Sequence, residues 1–179
     1  MLRWQFMVVQ LLTTLRVAAA MLFACVALIP GAHPIALGLY ALALASDLAD
    51  GYFARRLHCR SRFGEHYDGF ADKAVDIVSV VYNAVQGAPV VACALILIRH
   101  VVALSIRAAT GNRHAGSRII GALTGASIRV ITILVLVLPG TARWAHSYGI
   151  WIAATVSLTS ASREIWTHRT QLSALMSPD

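Results

Sequence analysis

Six apolar helices crossing a bilayer, preceded by a short helix lying in the membrane surface, form the all-α architecture that three features of this chain predict. Hydrophobic residues make up 58% of 179 and charged residues only 13%, with a mean hydropathy of +0.69. That composition belongs to an integral membrane protein. Apolar stretches of roughly 20 residues, enough to span a hydrocarbon core, recur between short polar or Gly/Pro turns. Arginines gather at alternate turns, as they do at the cytosolic ends of membrane helices. The length suits one domain, so residues 1–179 read as a single membrane domain without a soluble domain, low-complexity segment or internal repeat.

The first element is the interfacial helix, residues 1–12, where Arg3 and Trp4 mix with apolar residues. Thr13, Thr14 and Arg16 then open a first span, about 14–30. A cleaved signal peptide is the competing reading of this segment. It is disfavoured because more membrane-like sequence follows at once. The second span runs over about 34–56 and the third over about 65–86, where Gln86-Gly87-Ala88-Pro89 breaks it. The fourth covers about 88–109, the fifth about 119–138 up to Pro139-Gly140, and the sixth about 144–162. Residues 163–179 are left as a tail.

Charge sets the orientation. Arg55, Arg56, Arg60 and Arg62 flank the second turn, and Arg107, Arg113 and Arg118 the fourth. Arg163 and Arg169 follow the last span, whereas the turns near 31 and 87 hold no Lys or Arg. Both termini are therefore expected in the cytosol. The net charge of +7 would suggest nucleic acid in a soluble chain. Here it suits cytosolic loops and anionic headgroups, so membrane lipid is the expected partner and nucleic acid is not. Cys25, Cys59 and Cys93 give an odd count without paired spacing, which offers no disulfide framework and points to core packing.

Six of the eight acidic residues fall between 47 and 76: Asp47, Asp50, Glu65, Asp68, Asp72 and Asp76. A carboxylate at membrane depth costs roughly 2.5–3.5 kcal/mol on insertion scales, so a cluster needs counter-charge and a use. On a helix Asp47 and Asp50 sit about 60° apart, and Asp68 and Asp72 about 40° apart. A turn over Arg56–Phe63 would fold the two pairs together into an all-oxygen pocket, the ligand set that Mg²⁺ or Mn²⁺ prefers. Gly51 and Ala54 lie on the acidic face and leave room for close approach. Arg55 is placed for a phosphate. A buried ion-pair network is the competing structural explanation, and the surrounding apolar sequence offers few basic partners for one. Glu65 suits the positive end of the third helix, and Asp76 extends the Asp68/Asp72 face one turn deeper as a supporting acceptor.

The pattern Asp47-x2-Asp50-Gly51-x2-Ala54-Arg55-x8-Gly64-x3-Asp68-x3-Asp72 resembles the signature of the CDP-alcohol phosphatidyltransferase family at all eight fixed positions, over 26 of the 179 residues. The resemblance implies phospholipid biosynthesis in a bacterial inner membrane, with the active site on the cytosolic side. A phosphatidyl group would pass from CDP-diacylglycerol to the hydroxyl of a small alcohol, with release of CMP. It implies two divalent cations, Mg²⁺ or Mn²⁺, held by Asp47, Asp50, Asp68 and Asp72 and gripping the diphosphate. Asp72 is then the general base that takes the acceptor's proton. Gly51, Ala54, Arg55 and Gly64 are then the CDP contacts. By the same resemblance the protein is a homodimer.

The acceptor is read from the later arginines. Arg99 and Arg107, two turns apart on one face, keep a spacing similar to that of the glycerol-phosphate-using, phosphatidylglycerophosphate synthase-like branch, although His100 stands where that branch has Glu. Gly121-Ala122-Leu123-Thr124-Gly125 lacks the branch's lysines and reads better as a helix-packing motif. Arg99, Arg107 and Arg118 are the candidate holders of the acceptor phosphate, with Arg129 a further arginine inside a span. Glycerol 3-phosphate is the first choice, then inositol phosphate, then a phosphate-free alcohol. His100, His114 and His146 read as structural or interfacial, and Lys73 as facing away from the acidic pair. Two rival classes fit less well. An intramembrane prenyltransferase needs two separated Asp motifs, and a divalent-cation transporter needs duplicated halves with acids near the midplane.

Overall fold

The computed structural model describes residues 2–56, 62–110, 118–138 and 143–176. Among these residues the chain forms six α-helices and no strand. They are α1 (Leu2–Val26), α2 (His33–Arg56), α3 (Arg62–Val85), α4 (Val90–Thr110), α5 (Arg118–Val137) and α6 (Arg143–Met176). The all-α class and the order of six long helices agree with the sequence. Over the described residues, no helix is long and apolar enough to cross a membrane.

Two boundaries differ from expectation. The surface helix and the first span are one uninterrupted α1. Nothing between Leu2 and Val26 breaks it: the segment has neither Gly nor Pro, and Thr14 bonds its hydroxyl back to the Gln10 carbonyl at 2.8 Å. At the other end, α6 does not stop near 162 but runs to Met176. The hydropathy falls there, but no helix breaker appears until Pro178.

At Gly87 and Gly31 the expected turns form, whereas the expected break at Pro139-Gly140 lies outside the described residues. Gly87 takes φ +95°, its N–H bonds the Ala84 carbonyl at 3.1 Å, and the Ala88 N–H bonds the Asn83 carbonyl at 3.0 Å. These two bonds cap α3 in a Schellman motif, which needs a left-handed residue and so favours glycine. Pro89 then supplies the carbonyl that accepts the first bond of α4, from the Cys93 N–H at 3.1 Å. Gly31, at φ +83°, turns the chain between α1 and α2.

The chain divides into two compact units, residues 1–82 and 83–179. In the first, α1 packs along α2 through small residues: Ala19, Ala20 and Ala27 on one side, Ala36 and Ala43 on the other, all buried. Phe23 packs between Tyr40, tilted at 46°, and Tyr82, edge-on at 61°, with ring centroids 4.9 and 5.2 Å away. Ser79 gives its one hydroxyl proton to the Val75 carbonyl at 2.7 Å, so Tyr40 is the donor in the 2.8 Å bond between Tyr40 Oη and Ser79 Oγ. The buried stripe on α2, Ala36-Tyr40-Ala43, leads by helical spacing to Asp47 and Asp50.

In the second unit, α6 packs against both α4 and α5. Its interior is unusually polar. Asn83 is fully buried, donates from Nδ2 to Thr132 Oγ1 at 2.7 Å, and holds His146 Nε2 at 2.9 Å through Oδ1. Oδ1 can only accept, so His146 carries its proton on Nε2. Arg99 is buried, with Nη2 donating to Ser160 Oγ at 3.0 Å and Nη1 3.1 Å from His100 Nδ1. His100 and His146 thus lie in this polar network, and His114 lies outside the described residues. Cys93 packs in the core, but Cys25 is exposed on α1, which corrects its core assignment. Cys59 lies outside the described residues.

The exterior inverts the usual pattern. Large apolar side chains face outward on every helix of both units, among them Leu11, Ile35, Phe70, Val90, Leu134 and Ile152. Arg16, Asp50, Asp76, Asn83, Arg99 and Thr132 are turned inward.

Candidate metal centre

Three helices of the first unit build the site, and helical register explains which side chains reach it. On α1, Thr13 and Arg16 continue the face that carries Ala20, Phe23 and Ala27 in the core. On α2, Asp47 and Asp50 stand one and two turns beyond Ala43. On α3, Asp68 and Asp72 precede buried Val75 on the inward stripe. The two predicted pairs of carboxylates do converge.

What they converge on was not expected. The Arg16 guanidinium is almost completely buried and meets all four. Its Nη1 lies 3.0 Å from Asp47 Oδ1, 2.9 Å from Asp68 Oδ1 and 2.8 Å from Asp72 Oδ1, while Nη2 donates to Asp50 Oδ2. Thr13 Oγ1 also donates to Asp50 Oδ2, at 3.3 Å. Nearby, the Thr14 and Tyr67 hydroxyls are 3.2 Å apart, a second tie between α1 and α3. The expectation that few basic partners were available is therefore corrected. The partner comes from a helix more than 30 residues earlier in the chain than Asp47.

The pocket is graded from inside to outside. The Asp50 side chain is 7% exposed, Asp47 27%, Asp72 37% and Asp68 49%. It is thus closed at Asp50 and open at Asp68 and Asp72. One carboxylate oxygen from each of Asp47, Asp50 and Asp68 lies within 4.8 Å of the others, so these three could hold a cation between them. Asp72 stands beside the trio and reaches the same Arg16 nitrogen. The donors are all carboxylate oxygens, which suit Mg²⁺ or Mn²⁺ over softer metals.

Asp76, 2% exposed, pairs with Lys73 at 3.6 Å, one turn along the same helix. Gly51, Ala54 and Arg55 on α2, Gly64 on α3, Arg107 on α4 and Arg118 at the start of α5 lie, beyond their helical backbone, outside the described residues. Glu65 and Gly121 do so too, and Arg113 lies wholly outside the described residues. Arg99 belongs to the second unit with the partners given above, and Arg129 is half-buried on α5.

Sequence reasoning missed Arg16 and Thr13 as parts of the site. The signal was present: an arginine within an apolar helix should face a polar interior. Arg16 was instead placed at the mouth of the first span, where a charge needs no internal partner.

Comparison with known proteins places the chain in a family. The profile of the CDP-alcohol phosphatidyltransferase family matches residues 6–159, across both units. A CDP-diacylglycerol–glycerol-3-phosphate 3-phosphatidyltransferase from Cereibacter sphaeroides is 36% identical over 104 residues, covering 54% of this chain. The match spans about half of that relative's own length, 47%. No solved structure matches the chain.

Proposed function

The chain belongs to the CDP-alcohol phosphatidyltransferase family, and from that premise we propose that it carries out metal-dependent transfer of a phosphatidyl group from CDP-diacylglycerol to a small alcohol, releasing CMP. The observation that carries the proposal is the convergence of Asp47, Asp50, Asp68 and Asp72 on one point. Four carboxylates crowded around one monovalent cation are costly unless a higher positive charge joins or replaces that cation when the enzyme works. Two divalent ions, Mg²⁺ or Mn²⁺, would supply that charge and neutralise a diphosphate.

In this reading Asp47, Asp50, Asp68 and Asp72 all hold metal, with Asp47, Asp50 and Asp68 the tightest group, their oxygens lying within 4.8 Å of one another. Asp72 has an open flank and stands beside that trio. It is the carboxylate best placed to accept the acceptor's hydroxyl proton as that oxygen attacks the lipid-bearing phosphorus. Gly51, Ala54, Arg55 and Gly64 are proposed to receive the CDP moiety, from their positions in the family pattern.

Glycerol 3-phosphate is the proposed acceptor. The Cereibacter sphaeroides relative is named for that substrate, and buried Arg99 offers a guanidinium suited to a phosphate. Arg107 and Arg118 complete the proposed acceptor set.

We read the chain as one membrane-embedded domain. Apolar side chains face outward while charged and polar groups are turned inward, the distribution a bilayer imposes. The arginine bias of alternate turns supports a cytosolic position for both termini and the acidic site. A homodimer in a bacterial inner membrane is proposed from the family alone.

The test is CMP release by purified protein given CDP-diacylglycerol, Mn²⁺ and each acceptor in turn. Release with glycerol 3-phosphate is expected. Release only with a phosphate-free alcohol would remove the arginine pocket, and release without any acceptor would make the enzyme a hydrolase.

A further inference from the structure

Arg16 Nη1 occupies a point 2.8–3.0 Å from three carboxylate oxygens belonging to Asp47, Asp68 and Asp72. A Mg²⁺ ion bound by those oxygens would sit about 2.1 Å from each. Drawing three oxygens inward by less than about 1 Å would place the ion where the nitrogen now lies. The guanidinium and the ion therefore cannot share the pocket in this arrangement.

We propose that Arg16 is a resident counter-cation of the metal site: it holds the four aspartates together in the metal-free protein and is displaced from among them when divalent metal loads. The inference rests on the metal reading of the site proposed above.

Three further observations support it. First, the guanidinium is about 1% exposed and is committed to the aspartates by both terminal nitrogens, so it is not a surface charge leaning on the pocket. Second, its Nε is buried and has no hydrogen-bond partner among the described residues. An arginine built as a permanent structural tie would be expected to have that donor satisfied too. Third, the cationic group is a fork on a flexible stem, so it can leave without moving α1. Thr13, which donates to Asp50 from the same face of α1, can keep that carboxylate oriented when the guanidinium departs.

The arrangement solves a folding problem. Asp47, Asp50, Asp68 and Asp72 carry four negative charges on two helices. Without an internal cation they would repel one another and hold α2 from α3 until metal arrived. Arg16 removes that requirement, at the expense of competing with the metal. The strength of metal binding is then a balance between ion and guanidinium, and weakening the guanidinium must strengthen the ion.

The experiment is Mn²⁺ titration, by calorimetry and by Mn²⁺ electron paramagnetic resonance, of the full chain in nanodiscs, comparing wild type with Arg16→Gln. Thermal denaturation with and without Mn²⁺ runs in parallel. The variant is expected to melt lower than wild type without metal, by roughly 5 °C or more. It is expected to bind Mn²⁺ roughly tenfold tighter, with a larger rise in melting temperature on metal addition. Unchanged or weaker Mn²⁺ binding by a folded Arg16→Gln would overturn the proposal. If Arg16→Gln does not fold without metal, Arg16→Lys gives the same reading. It keeps one positive charge but loses the fork that bridges four carboxylates, so it must also bind Mn²⁺ tighter than wild type, and weaker or equal binding overturns the proposal. Failure of wild type to bind Mn²⁺ at all would instead count against the metal site itself, and so against the proposed function.

Discussion

Arg16 on α1 and Asp72 on α3 stand 56 residues apart in sequence and meet at 2.8 Å, with Nη1 donating to Oδ1. The same nitrogen donates to Asp68 at 2.9 Å. One side chain of the first helix therefore holds the third in register, and with it the residue proposed to move the acceptor's proton.

That role sets the first prediction. Asp72→Asn keeps the size and shape of the side chain but cannot accept a proton. CMP release should fall by about 10²–10⁴-fold, the usual contribution of a general base, while CDP still binds. Turnover measured beside nucleotide binding checks this, and undiminished turnover would remove Asp72 from the mechanism.

Metal removal gives the second. EDTA should stop CMP release, and Mn²⁺ or Mg²⁺ should restore it while Zn²⁺ does so poorly, because every donor is a carboxylate oxygen. Asp50→Asn should raise the Mn²⁺ concentration needed for half-maximal activity more than any change at Asp76, which pairs with Lys73 instead.

The convergence of the four carboxylates was legible because spacing maps directly onto helix faces: three and four residues apart is one face, whatever the tertiary fold. Gly87 with Pro89 was legible for a similar local reason, since a left-handed cap needs glycine. Arg16 was not. Its partners are on two other helices, and no local pattern says which of several arginines will be drawn inward. The ends of α1 and α6 were misjudged for a different reason. Hydropathy reports the surroundings of a helix, not its backbone, so polar residues after Leu158 were read as an end when the helix continues to Met176. Cys25 shows the limit of composition: in a chain with apolar residues on its outside, an apolar position is no guarantee of burial.

The third prediction concerns the Gly87 cap. Gly87 has φ +95°, and nothing lies within 4 Å of where its Cβ would be. Gly87→Ala therefore meets no clash and should cost only the left-handed conformation, about 1 kcal/mol. Thermal denaturation should show a fall of roughly 2–4 °C with metal affinity unchanged.

The fourth concerns the polar core of the second unit. Asn83 joins α3 to Thr132 on α5 and His146 on α6. Asn83→Leu is close in size but leaves buried Thr132 and half-buried His146 without this partner. Stability should drop by about 1–3 kcal/mol, measured by denaturant or thermal unfolding. A neutral result would show that other groups or water take its place.

The most direct measurement of the central claim is Mn²⁺ anomalous diffraction from crystals grown with a CDP-linked lipid. Mn²⁺ is expected among Asp47, Asp50, Asp68 and Asp72, about 2.1–2.2 Å from their oxygens, with the diphosphate beside it. Anomalous density elsewhere, or a bound diphosphate with no metal among these four carboxylates, would contradict it.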